Sequence, residues 1–216
     1  MLPPIPRKLW RIDDSTVGEH FSLDPTDRCY YIWEYAARQR YDFSPPNQLL
    51  FNLKIKPTAI AEVPTRGRHK QEAIAHAGAA LRRLIAREFV ESHATFVPIP
   101  CSKARADADY DNRLHRVLTQ AFLGWNADVR EWLTLTRSTL ADHESEERLT
   151  FDELREITQL KTSGPEPRPV IVLVDDVLNS GKHFKVARSL LRTRYPSTQV
   201  RAVFLARCVR EPHRLS

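Results

Sequence analysis

The chain has 216 residues, 42% hydrophobic and 28% charged, enough apolar side chains for one sizeable core and too many for a disordered or fibrous protein. Lys and Arg number 33 against 27 Asp and Glu, and the resulting charge of +6 suits an anionic ligand or a nucleic acid without requiring either. Cys29, Cys101 and Cys208 form no CxxC pair, MLPPIPRKLW lacks a secretory apolar region, and no long apolar run follows; zinc ribbon, disulfide framework and membrane span are excluded, leaving the expectation of a cytoplasmic protein with reduced thiols.

Residues 1–28 are punctuated by Pro and Asp and read as a loosely structured arm, with Trp10 and Phe21 as the side chains that dock it. Tyr30–Tyr35 is aromatic and β-prone, and Ser44-Pro45-Pro46 marks a turn into a first helix over the apolar segment Asn47–Ile55. This divides the chain into an arm, 1–46, packed on a domain, 47–216. Ala73, Ile74, Ala77, Leu81, Leu84, Ile85 and Phe89 share one helical face, which predicts one long amphipathic helix over 68–90.

Phe96–Pro100 reads as a short strand ending in a loop at Cys101, and Leu114, Val117, Leu118, Ala121 and Phe122 mark the next helix. Trp132–Leu135 reads as a strand, Arg137–Thr150 as an acidic excursion without apolar periodicity, and Phe151–Leu160 as a short helix at its base. Val170–Val174 is a β-branched run of the kind buried on both faces of a parallel sheet, followed by a loop, a helix over 182–194 and a strand over Gln199–Leu205. Strands alternating with helices predict an α/β domain.

The strongest local signal spans residues 170–191, where Asp175 and Asp176 end a buried strand and Asn179-Ser180-Gly181 opens a helix. Ligand crevices of open α/β sheets lie at the carboxyl ends of strands, and backbone N–H groups at a helix start make an anion cradle. Two carboxylates repel a bare phosphate, so the pattern suits a ligand with a phosphate at one end and hydroxyls or a Mg²⁺ shell at the other, such as a phosphorylated sugar. Both carboxylates are then expected to face the ligand, and replacing both to leave the fold intact with stability unchanged or raised. A P-loop fails on spacing, because Asp176 and His183 stand where Gly and Ser or Thr are required. An ordinary capped strand–loop–helix explains one acidic residue more easily than two.

Val172-Leu-Val-Asp-Asp-Val-Leu-Asn-Ser-Gly181 resembles the phosphoribosyl-pyrophosphate (PRPP) motif of type I phosphoribosyltransferases. The resemblance implies a Rossmann-like fold with a central, mostly parallel sheet flanked by helices and a flexible hood loop. It implies that Asp175 and Asp176 act as the catalytic pair, holding the ribose hydroxyls and ordering a Mg²⁺ shell indirectly. Val177, Leu178, Asn179, Ser180, Gly181, Lys182 and His183 would bind the 5-phosphate, although the family usually has Thr at the positions of Asn179 and His183.

Further stretches are similar to the competence-protein-F (ComF) branch. Leu49–Lys54 looks like its apolar-Leu-Lys segment, Val97–Pro100 with Cys101, Ser102 and Lys103 like its strand and pyrophosphate loop, and Tyr110-Asp111-Asn112 like its aromatic-Asx element. Arg137, Thr139 and Arg148 fall in a stretch similar to its hood, about 137–150. The branch's zinc-ribbon cysteines are missing, and its Arg-Gly before the aromatic-Asx element is Ala108-Asp109 here. Cys101 has no identifiable base and reads as a loop filler.

The implied reaction transfers the 5-phosphoribosyl group from PRPP to a nitrogen acceptor with release of pyrophosphate. A non-catalytic PRPP or nucleotide sensor is the alternative, favoured by the altered Arg-Gly. Association with nucleic acid is a third, motivated by Arg66, Arg68, Lys70, Arg82, Arg83 and Arg87, although 25 of the 33 basic residues are Arg, which composition bias also produces. A homodimer stays open. His183 would open the phosphate helix; His143 in the excursion and His69 beside Arg68 read as solvated side chains.

Overall fold

The computed structural model describes residues 1–139 and 149–209. In chain order its strands are β1 (Trp10–Arg11), β2 (Cys29–Ala36), β3 (Ala94–Pro98), β4 (Asp128–Val129), β5 (Leu133–Leu135), β6 (Thr158–Leu160), β7 (Val170–Leu178) and β8 (Gln199–Val209). Its helices are α1 (Pro45–Leu53), α2 (Pro57–Glu62), α3 (Thr65–Leu84), α4 (Arg87–Ser92), α5 (Arg113–Ala121), α6 (Phe151–Ile157) and α7 (Lys182–Arg194). Six strands form a mixed sheet in the order β1-β2-β8-β7-β3-β4, parallel throughout except for β1 against β2. The expected α/β architecture, mostly parallel and flanked by helices, is present.

The run at β7 explains the layering. Val170, Val172 and Val174 pack into one cluster with residues of α1, α3 and α5, while Ile171 and Leu173 pack into another with Phe184, Ala187 and Leu191 of α7. A strand buried on both faces needs apolar residues at every position, which is why the sequence there shows a continuous run. At α1, the Ser44 hydroxyl accepts from Asn47 N–H at 3.3 Å and Pro45 starts the first turn, so the turn signal is the helix cap itself.

Four elements differ from the sequence reading. Tyr30–Tyr35, β-prone as expected but assigned to the arm, is part of an interior strand of the sheet, paired with β8 from Cys29↔Ala202 to Ala36↔Val209. The long helix breaks at Ile85, which is extended; on a continuous helix Val90 would lie about two and a half turns from Leu81, on the opposite face, and the break lets both be fully buried. Phe151–Leu160 is a helix only to Ile157, and its last residues form β6, which pairs antiparallel with β5 in a separate two-stranded ribbon. The helix α2, absent from the sequence reading, starts at Pro57.

The arm is ordered, and not through the side chains expected to dock it: Trp10 and Phe21 are 47% and 61% exposed, although the backbone of Trp10, in β1, pairs with Tyr31. Ile12 is buried, Trp33 Nε1 donates to Pro4 O at 2.8 Å, and the turn over 24–27 places two carboxylates on α7. Lys185 Nζ bonds Asp24 at 2.6 Å and Asp27 at 3.0 Å, and Arg188 also pairs with Asp27, whose side chain is 1% exposed. Asp27→Ala leaves both cations without that carboxylate and should lower stability by about 2 kcal/mol, the scale of hydrogen bonds to charged groups. The check is the urea midpoint at unchanged slope; an unmoved midpoint would show that the arm does not brace α7. Among the described residues no helix is long and apolar enough to cross a membrane.

Candidate functional site

The site lies where the winding of the sheet reverses. From β3 the chain passes through α5 to β4 at one edge, whereas from neighbouring β7 it passes through α7 towards β8, and these two helices cover opposite faces. The carboxyl ends of β3 and β7 therefore flank a switch-point crevice. Its walls are the loop 99–112 and the turn Asn179–Gly181.

Strand β7 is longer than its apolar run. Pairing with β3 stops at Pro98↔Val174, but pairing with β8 continues to Leu178↔Arg207, so Asp175 and Asp176 sit in a strand with one open edge. Val177 and Leu178, assigned by resemblance to the phosphate loop, belong to this strand, and Leu178 is fully buried.

The two carboxylates have different surroundings. Asp176 is on the α1/α5 side, 5% exposed: Arg113 donates from Nε at 2.9 Å and Nη2 at 2.5 Å to Oδ2, and Lys54 Nζ lies 3.1 Å from Oδ1. Burial alone would raise its pKa, but Lys54 and Arg113 hold it far below the usual carboxylate range. Asp175 is half-buried and makes no ion pair among the described residues; its Oδ1 accepts from Asp176 N–H at 2.7 Å. Burial, then the Asp176 charge, pushes its carboxyl up to about 8. The expectation that both face a ligand is thus divided, since Asp176 is committed to two protein cations.

The network continues inward. Arg113 Nη1 lies 3.3 Å from Asp111 Oδ2, which Lys70 Nζ bonds at 2.6 Å, and Lys70 also donates to Leu53 O at 3.0 Å and Ile55 O at 2.6 Å. Lys70, 2% exposed, is therefore withdrawn from the basic surface to which the sequence assigned it. Arg113, the centre of the chain, was not singled out by sequence; the one signal was its place directly after Tyr110-Asp111-Asn112.

The turn after β7 is clamped from the arm. Ser180 O accepts from Ser22 N–H at 2.9 Å, Asn179 O lies 2.5 Å from His20 Nδ1, and Leu23 rests on Gly181. Gly181 has φ +87°, a left-handed conformation that opens α7. Ser180 is buried and its hydroxyl accepts from Lys182 N–H at 3.3 Å, so it caps the helix; the Lys182 ammonium donates to Leu149 O. His183 is half-buried in the first turn of α7.

Across the crevice, Cys101, Ser102 and Lys103 are half-buried, with Cys101 Sγ 3.6 Å from Lys103 O. This loop is tied to the start of the expected hood: Thr139 N–H donates to Ser102 O at 2.7 Å, Ala104 N–H to Ser138 Oγ at 3.0 Å, and Ser138 Oγ to Asp107 at 2.6 Å. Asp109 accepts from the Thr58 hydroxyl at 2.6 Å and so fixes the first turn of α2. Arg137 is exposed; residues 140–148 of the hood, with His143 and Arg148, lie outside the described residues.

Beside the loop after β3, a small cleft of about 20 Å³, room for one water, is lined by Pro98, Cys101, Tyr110, Asn112, Arg113 and Glu131. A larger depression of about 760 Å³ beside Pro64, Arg68, His69 and Glu72 contains none of these groups, and we place no chemistry there. Among the described residues no three His, Cys, Asp or Glu side chains converge, and both Asp176 oxygens are held by cations, so the donor set does not fit a protein-held Mg²⁺. No family model, curated protein or solved structure matches the chain.

Proposed function

We propose that the chain is a PRPP-binding protein of the type I phosphoribosyltransferase kind, transferring the 5-phosphoribosyl group to a nitrogen acceptor. The observation that carries this reading is the coincidence, at one switch point, of an Asp-Asp strand end and a left-handed glycine opening a helix. The 5-phosphate would lie at the amides opening α7, and Asp175, which makes no ion pair among the described residues, would bond a ribose hydroxyl. Ser102 and Lys103 on the opposite wall would take the pyrophosphate. In the transfer the acceptor nitrogen forms a bond to C1 and loses a proton, while the C1–O bond breaks and its electron pair leaves with pyrophosphate. The centre passes through an oxocarbenium-like state, and Lys103 neutralises charge on the leaving group.

The engagement of Asp176 by Lys54 and Arg113 favours a second reading, a sensor that binds PRPP without turning it over. Calorimetric titration with PRPP, followed by a pyrophosphate-release assay across nitrogen acceptors, separates the two. Binding with release is expected; binding without release assigns the sensor, and the absence of binding removes both.

A further inference from the structure

The ion-pair chain at the end of β7 holds three cations and two carboxylates, and the cations are not equivalent. Lys70 and Arg113 have side chains 3% and 14% exposed, and each is fixed by more than one group. Lys54, just past the C-terminus of α1, is 36% exposed, and its ammonium has one partner among the described residues, Asp176 Oδ1. If Lys54 moves away, Asp176 keeps both bonds from Arg113 on Oδ2 and no charge is stranded. A divalent ion at the same oxygen would instead sit beside the Arg113 guanidinium, where like charges repel.

We propose that Lys54 is the exchangeable cation of this crevice: a ligand hydroxyl replaces it at Asp176 Oδ1, and the ammonium turns onto the ligand's pyrophosphate, making anion recognition independent of a divalent metal. The proposal rests on the PRPP reading above and names the group that meets the pyrophosphate from the β7 side. Lysine suits the exchange, being a point charge on a flexible four-carbon stem with three donors, none tied to a fixed fork.

The test is calorimetric titration of PRPP and of ribose 5-phosphate, each with EDTA and with Mg²⁺, into the native protein, Lys54→Met and Lys54→Arg. Native affinity for PRPP should change by less than about threefold between EDTA and Mg²⁺. Lys54→Met should weaken PRPP by about ten- to a hundredfold in EDTA, the scale of a lost bond between charged groups, and Lys54→Arg should recover most of it. Ribose 5-phosphate, which has no pyrophosphate, should bind Lys54→Met no worse than the native protein. PRPP binding that requires Mg²⁺ and ignores Lys54, or an equal loss of both ligands in Lys54→Met, overturns the exchange while leaving the PRPP reading in place. Failure of both ligands to bind the native protein under either condition overturns both.

Discussion

Asp176→Ala is expected to melt roughly 6 to 20 °C below the native protein, whereas Asp175→Asn, one residue away, is expected to melt above it at neutral pH. Removing Asp176 leaves the largely buried Arg113 with Asp111 as its remaining carboxylate among the described residues, and takes from Lys54 its one partner among them. Breaking a buried pair on one side costs about 3–5 kcal/mol, and each kcal/mol moves the midpoint of a domain this size by about 2–4 °C. Asp175 has no cation to strand among the described residues, and Asn at that position can still accept the Asp176 N–H bond.

The pH dependence has opposite signs at the two positions. Asp175 titrates near 8 in the folded protein against 3.8 ordinarily, so its contribution is intact below 3.8 and is lost as pH rises through 8. The gain from Asp175→Asn should therefore be small at pH 4 and grow steadily to pH 8. Asp176 titrates far below 3.8, so its contribution is complete above that value and is lost only as pH falls through its folded pKa. The deficit of Asp176→Ala should be largest near pH 5 and shrink towards pH 8, because removing that charge lowers the Asp175 pKa and relieves the penalty the native protein acquires as pH rises. Because each charge shifts the other, the double variant should not equal the sum of the singles. Thermal melts at pH 4, 6 and 8 check all three; a stabilised Asp176→Ala would show that the Lys54–Arg113 clamp contributes nothing.

What was legible in the sequence was whatever local pattern determines. The β7 run is continuous because both faces are buried, and the Ser44-Pro45 start of α1 is a cap written in adjacent residues. Its end was not legible, since the strand persists to Leu178 only through pairing with β8, about 29 residues on. The break at Ile85 carries no Gly or Pro; it answers to where Val90 must go in the core. The candidate site divides in the same way. Asp175, Asp176 and Gly181 announce themselves as a motif, whereas Arg113 meets Asp176 across 63 positions and Lys70 meets Asp111 across 41, distances at which composition shows only surface charge. The arm's acidic residues reach α7 from the other end of the chain, so a Pro- and Asp-rich stretch that reads as loose is a brace.

Gly181→Val is expected to disrupt the turn after β7 more than any other single change in it. With φ at +87°, a β-branched residue is a steric outlier, which costs about 1–3 kcal/mol. An added Cβ would also stand 2.5 Å from Leu23 Cδ2 and 2.7 Å from Leu23 Cγ, so the arm or the turn must shift, at about 1–3 kcal/mol more. The contacts on either side, Ser22 N–H to Ser180 O and His20 Nδ1 to Asn179 O, leave little room for the shift to be local. Leu23→Ala removes the colliding atoms but not the backbone strain, so in a Gly181→Ala background it should recover the collision and leave the strain, giving a double-mutant cycle with a favourable coupling. In the PRPP reading the same turn presents amides to the 5-phosphate, so Gly181→Val should lose ribose 5-phosphate and weaken PRPP, while inorganic pyrophosphate, held across the crevice by Ser102 and Lys103, should bind as before. Calorimetry on the three ligands decides it: pyrophosphate falling in parallel with ribose 5-phosphate would mean that the turn at Gly181 does not read the sugar's phosphate and that the two anion sites are reversed.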